Sequence, residues 1–138
     1  MDNNFKRMLT IGKRGEYDVL RLCERHHVPI KSVEGWHTYY DFIIDHQTVE
    51  VKRQACLRDD KIYVERKQSS GKLGWFDKGI PDYYCFTIDK RFIFIKGVDL
   101  QHWVHKHSWI TYSDLYGGKV QYIDLDELKD ILVEVYDD

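Results

Sequence analysis

Cysteine is scarce in this 138-residue chain, and what there is does not pair: Cys23, Cys56 and Cys85 are odd in number and widely spaced. That argues against a disulfide framework or a clustered cysteine metal site and points to reduced core thiols. Long hydrophobic runs are missing as well, since no stretch approaches the roughly 20 apolar residues of a membrane helix. The opening MDNNFKRMLT lacks the basic-then-apolar plan of a secretory signal, so a cytoplasmic location and no membrane partner are expected. Internal repeats and low-complexity tracts are absent too. With 43% hydrophobic and 32% charged residues, the composition supports a packed core and excludes wholesale disorder. The length suits one domain over residues 1–138.

A strong charge of one sign is also lacking. Lys and Arg number 21 against 23 Asp and Glu, a net charge of -2 that by itself argues against a generic nucleic-acid coat protein. The average conceals a division, because residues 121–138 contain seven acids and only one base, Lys129. The rest is mildly basic, and Lys52, Arg53, Arg58, Lys61, Arg66, Lys67, Lys72 and Lys78 form a local excess able to meet phosphates. A solvated charged face would carry the same residues.

Periodicity predicts a helix from Gly15 to His27, with Tyr17, Val19, Leu20 and Cys23 on one face, ended by Pro29. Residues 39–44 and 48–52 read as two strands about the turn 45–47, and 83–88 with 91–95 as a second hairpin about Asp89-Lys90. Residues 61–65 are extended or open a helix. Residues 68–74 read as a mobile loop, 98–105 as a helix, and 125–135 as a last helix N-capped by Asp124. The expected fold is α/β, a mixed β-sheet flanked by helices.

A divalent metal that activates water against a phosphodiester requires hard oxygen ligands on rigid elements, with a cation nearby for developing charge. Glu50 and Lys52 lie two apart on a predicted strand and so share a side, while Val49 and Val51 face the other way. Asp41 falls on the adjacent strand, across the turn. Glu-x-Lys is a common pattern, expected about once in two chains of this length. Here it occurs three times, and only Glu50-Val51-Lys52 has the two-strand context. Glu65-Arg66-Lys67 follows Asp60 too closely, and Glu127-Leu128-Lys129 falls on the predicted last helix.

These residues resemble the PD-(D/E)XK nuclease superfamily, with Asp41 as the first acid and Glu50-Val51-Lys52 as the ExK element. Gly12-Lys13-Arg14-Gly15-Glu16 is similar to the helix-borne acid of compact Holliday-junction-resolvase-like and phage-encoded members. The resemblance covers residues 12–68, and Tyr40 stands where the family name has Pro. It implies a restriction-endonuclease-like sheet and magnesium, with manganese as the substitute, held by Glu16, Asp41, Glu50 and the carbonyl of Val51. Lys52 would orient or deprotonate water or stabilise the transition state, and Lys67 or Gln68 would match a further polar position. DNA, branched or duplex, is the implied substrate, with RNA open, a homodimer the implied assembly, and the host cytoplasm the location were the chain phage-encoded. Lys13, Arg14, Arg53, Lys67, Gln68 and Lys72 are the candidate nucleic-acid contacts.

Other features have ordinary readings beside the functional ones. His102 and His105 would share a helix face as two zinc ligands do, but no cysteine lies near to complete a site. Trp75 and Phe76, next to Lys72 and Lys78, either stack on bases or pin their loop to the core. In the Tyr39-Tyr40 and Tyr83-Tyr84 pairs, one ring of each is expected to face inward. Two rival functions follow: a non-catalytic module using residues 52–78 to bind nucleic acid or an acidic protein partner, and a protein-interaction protein, such as an inhibitor, whose acidic C-terminal helix mimics phosphate.

Overall fold

The computed structural model describes residues 3–33, 40–107, 112–113 and 117–137, with side chains described over 13–33, 40–107 and 117–133. Tyr39 lies outside them. A long helix α1 (Asn3–Arg25) leads into β1 (Ile30–Ser32), β2 (Phe42–Ile44) and β3 (Gln47–Arg53). After β4 (Lys61–Lys67) come the hairpin β5 (Tyr83–Ile88) and β6 (Arg91–Lys96), helix α2 (Gly97–Lys106), β7 (Tyr112–Ser113), β8 (Lys119–Asp124) and β9 (Leu132–Asp137). Six strands form a mixed sheet in the order β1-β2-β3-β5-β6-β9, in which β3 and β5 are parallel and every other neighbouring pair is antiparallel. A second, antiparallel sheet has the order β4-β8-β7. The protein is thus α/β, as its patterning predicts.

Helix α1 begins at Asn3, well before the predicted start, and ends in a Schellman closure. The Val28 N–H donates to the Cys23 carbonyl at 2.9 Å and the His27 N–H to the Glu24 carbonyl at 3.3 Å, with His27 at φ 54 where glycine is usual. Both predicted hairpins form on two-residue turns, Asp45-His46 and Asp89-Lys90. Asp45 and His46 take positive φ, 48 and 68, the mark of the turn that matches strand twist. Residues 61–67 resolve as a strand.

Strand alternation sorts the core. Val49, Val51, Cys85 and Phe92 pack under Val19, Leu22 and Cys23 of α1. Tyr84, Phe86, Ile93 and Ile95 pack on the opposite face against Ile62, Val64 and Ile123 of the second sheet and Leu100 and Val104 of α2. The two sheets therefore share one apolar core. Gln54, buried at the end of β3, joins them: its N–H donates to the Thr87 carbonyl, and its side-chain amide exchanges two hydrogen bonds with the Tyr63 backbone, at 2.6 and 3.0 Å. Tyr84 is the inward ring of its pair, and Tyr83 is half-buried on the α1 side.

The predicted last helix does not form. Residues Leu125–Leu128 make a single 3-10 turn, Asp124 makes no side-chain cap, and Leu132–Asp137 pairs with β6. The sheet decides here, because the β6 edge offers an antiparallel ladder, irregular only between Phe94 and Ile95, to a segment with β-branched residues at Val133 and Val135. The inhibitor reading loses the acidic helix on which it relied. Residues 68–74, read as mobile, close a tight hairpin: the Gln68 N–H donates to the Lys72 carbonyl at 2.8 Å, the Gly71 N–H to the Gln68 carbonyl at 2.9 Å, and Lys67 bridges Leu73. Among the described residues no helix is long and apolar enough to cross a membrane.

Candidate functional site

Asp41 is the hub of the predicted constellation. It lies one residue ahead of β2, where its N–H donates to the Val49 carbonyl and its own carbonyl accepts from Val33, both at 2.9 Å. Its Oδ2 accepts the Val51 N–H at 2.8 Å. Asp41 is thus anchored against β3 by two bonds, one through its backbone N–H and one through its carboxylate, and a third ties its carbonyl to Val33. Because the turn is two residues long, position 41 falls across from position 50, as the sequence reading requires.

Glu50 and Lys52 point away from α1, and Lys52 Nζ lies 3.3 Å from Glu50 Oε1. Lys52 also sits 5.0 Å above the Trp75 ring. Glu16 arrives from the other side of β3, carried by α1. Gly15 permits that approach, since a Cβ there would come within 2.9 Å of Arg53 Cβ. The backbone of α1 is thereby drawn close to the end of β3, and the next residue is delivered to Asp41.

Burial, a hydrogen bond with Asp41 and the Asp41 charge push the Glu16 carboxyl up to about 7, against the opposing pull of Lys52 and Lys13. Burial is again the first cause at Glu50, pushed up to about 8 with Asp41 adding to the rise and Lys52 offsetting part of it. A neutral Glu50 and a 3.3 Å lysine contact are compatible, because the carbonyl oxygen of a protonated carboxyl still accepts the ammonium N–H. Both glutamates therefore hold protons far above their ordinary 4.5.

The three acids do not close into one ligand set. Among the described residues no group of three or more His, Cys, Asp and Glu side chains is gathered to hold a metal ion. They stand as two pairs that share Asp41, with Glu16 and Glu50 approaching from opposite faces of β3 and Glu50 drawn to Lys52. Val51 meets Asp41 through its N–H, which donates to Oδ2.

The candidate nucleic-acid contacts divide. Lys13, Arg14, Lys67 and Lys72 are exposed. Arg53 lies on the α1 face of β3, away from Lys52, and pairs with Asp89 at 3.5 Å. Gln68 spends its amide on the Leu73 carbonyl at 3.0 Å, closing the hairpin instead of reaching the site. The histidines follow the ordinary reading: His105 contacts Arg66 Nη2 at 3.4 Å and Gln101 Oε1 at 3.1 Å, and His107 contacts the Trp103 carbonyl at 2.7 Å. A groove of about 310 Å³ lined by Leu22, Cys23, Ile44, Tyr83 and Phe94 contains none of the four candidate residues.

Sequence reasoning did not bring Trp75 to Lys52, from which it is separated by 23 positions and one whole strand. The available signal was Gly74 before a bulky aromatic pair. A Cβ on Gly74 would lie 2.1 Å from the Glu65 carbonyl oxygen, so the chain at that point presses onto β4. No family model, curated protein or solved structure matches this chain.

Proposed function

We propose that the protein is a metal-dependent nuclease that hydrolyses DNA phosphodiester bonds at Glu16, Asp41, Glu50 and Lys52. The observation that carries this reading is the meeting of two proton-retaining glutamates, from different elements, on a single backbone-anchored aspartate beside a lysine. Titratable groups pushed so far by burial and like charge concentrate at functional sites.

The donors are of the type magnesium and manganese take, and the two acid pairs about Asp41 would have to close into one set around the ion. Carboxylate oxygens are the hard ligands these ions take, and a dication would offset the burial and the Asp41 charge that keep Glu16 and Glu50 protonated. Glu16, Asp41 and Glu50 would hold it, with the Val51 carbonyl as the backbone donor the family resemblance implies. When bound, the ion supplies a polarised phosphoryl oxygen and a more acidic water.

The chain's own residues account for the rest. Asp41, held by the Val51 N–H, fixes the position about which both glutamates gather. Lys52, about one-third exposed at 30%, presents an ammonium to solvent beside Glu50 and there orients the attacking water or meets charge developing on the phosphate. Exposed Lys13, Arg14, Lys67 and Lys72 supply backbone-phosphate contacts that position a strand without reading its sequence. A two-fold dimer presenting two sites to a branched junction is the natural refinement.

Purified protein incubated with linear, nicked and branched DNA, and with a hairpin RNA, with and without magnesium, tests the reading. Cleavage should require the metal and fall by at least about 100-fold in Glu50→Ala and Lys52→Ala. Wild-type rates in either variant would remove the site.

A further inference from the structure

We infer that Trp75 is a positioning residue for Lys52, holding the ammonium beside Glu50 by the face of its indole ring. The inference rests on the nuclease reading for the use of Lys52, and on geometry for the restraint itself. Lys52 Nζ lies 3.3 Å from Glu50 Oε1 and 5.0 Å from the Trp75 ring centroid. A lysine otherwise explores four side-chain torsions, and a cation over an indole face is the strongest of the aromatic cation contacts.

The segment that carries the ring is immobilised residue by residue. Gly74 sits against the Glu65 carbonyl where no side chain fits, and its N–H donates to the Arg66 carbonyl at 3.0 Å. The Trp75 N–H donates to Glu65 Oε1 at 3.3 Å. Gln101 Nε2 donates to the Phe76 carbonyl at 2.7 Å, Phe76 is fully buried, and Arg66 Nε donates to Asp77 Oδ2 at 2.7 Å. Four consecutive residues are thus tied to β4 and α2. Trp75, the half-buried member, lays its ring between the Tyr84 and Phe86 rings, at 6.0 and 6.2 Å, and the lysine. The hairpin over 67–73 sets the entry of this segment, so the polar loop and the lysine belong to one construction.

A purely structural tryptophan would pack on Tyr84 and Phe86 without constraining Lys52, and substitution can tell the two roles apart. Trp75→Leu keeps apolar bulk and removes the ring face; Trp75→Phe keeps a ring and serves as the folding control. Two readouts are taken on the full chain with magnesium and branched DNA as the probe. In Trp75→Leu, kcat should fall about tenfold with KM unchanged, while Trp75→Phe stays within about threefold of wild type. Independently of activity, the Lys52 ε-methylene protons, assigned in lysine-labelled protein by their loss in Lys52→Arg, should be shifted upfield by the ring current in wild type and Trp75→Phe and return to the free-lysine position in Trp75→Leu. Lys52 protons already at that position in wild type would overturn the inference even if the protein cleaves DNA. A ring-shifted Lys52 in a wild type that cleaves nothing would overturn the nuclease reading and leave the Trp75 restraint standing.

Discussion

Stability of the metal-free protein should fall as pH rises from about 5 to about 8, and Glu50 should be the main reason. In the unfolded chain its carboxyl ionises near the ordinary 4.5, whereas in the fold burial holds the proton up to about 8. Between those values the folded state binds more protons than the unfolded state, so stability is complete below about 4.5 and is lost as pH climbs through about 8. With the Glu50 side chain only 13% exposed, solvent screening is slight, and at 1.36 kcal/mol per pH unit the loss amounts to roughly 2–4 kcal/mol. Glu16, half-exposed, acts in the same direction. Urea unfolding in a chelator at several pH values measures this directly, and a loss of that size moves the midpoint down by about 1 M or more. Glu50→Gln removes the titrating group while keeping an acceptor for Lys52, so its midpoint should change much less over the same range. Magnesium should raise the wild-type midpoint at about pH 8 and leave Glu50→Gln unmoved. Parallel curves for wild type and Glu50→Gln would refute the assignment of a buried, proton-retaining carboxyl to position 50.

Three further outcomes are expected. Asp41→Asn preserves an acceptor for the Val51 N–H and should fold at near wild-type stability without cleaving DNA, whereas Asp41→Ala orphans that N–H and should lose about 1–3 kcal/mol in denaturant titrations. Gly74→Ala drives a Cβ into the Glu65 backbone and should cost at least about 2 kcal/mol, with a changed near-ultraviolet dichroism as Trp75 shifts. Gln54→Leu strips the Tyr63 N–H and carbonyl of their partners, so it should cost about 2–5 kcal/mol and accelerate amide exchange at Tyr63.

Some of the site is legible from local pattern. Alternation alone puts Glu50 and Lys52 on one side of β3 and Val49 and Val51 on the other, and a short turn brings Asp41 across from them. Glu16 enters by a different route, the family resemblance, because nothing in helix periodicity says which acid on α1 will face a given strand. The C-terminal segment shows where local reading fails. Residues 125–135 follow an aspartate at the N-cap position and carry early acids and clustered apolar residues, yet Asp124 makes no side-chain cap and the open edge of β6 recruits Leu132–Asp137 as a strand. The loop over 68–74 is polar and glycine-bearing as mobile loops are, and its closure depends on β4 being there to receive it.

By itself the sequence determined the two hairpins, helix α2 and the side of β3 on which the Glu50 and Lys52 side chains emerge, because periods of two and 3.6 residues are set by backbone geometry within a few neighbours. Only the tertiary structure decided that β4 leaves the main sheet for a second one, that the acids gather as two pairs about Asp41, and that Trp75 lies over Lys52. Those outcomes turn on which distant surfaces bury one another. Burial, in turn, is what makes a carboxylate on this strand hold its proton near neutral pH.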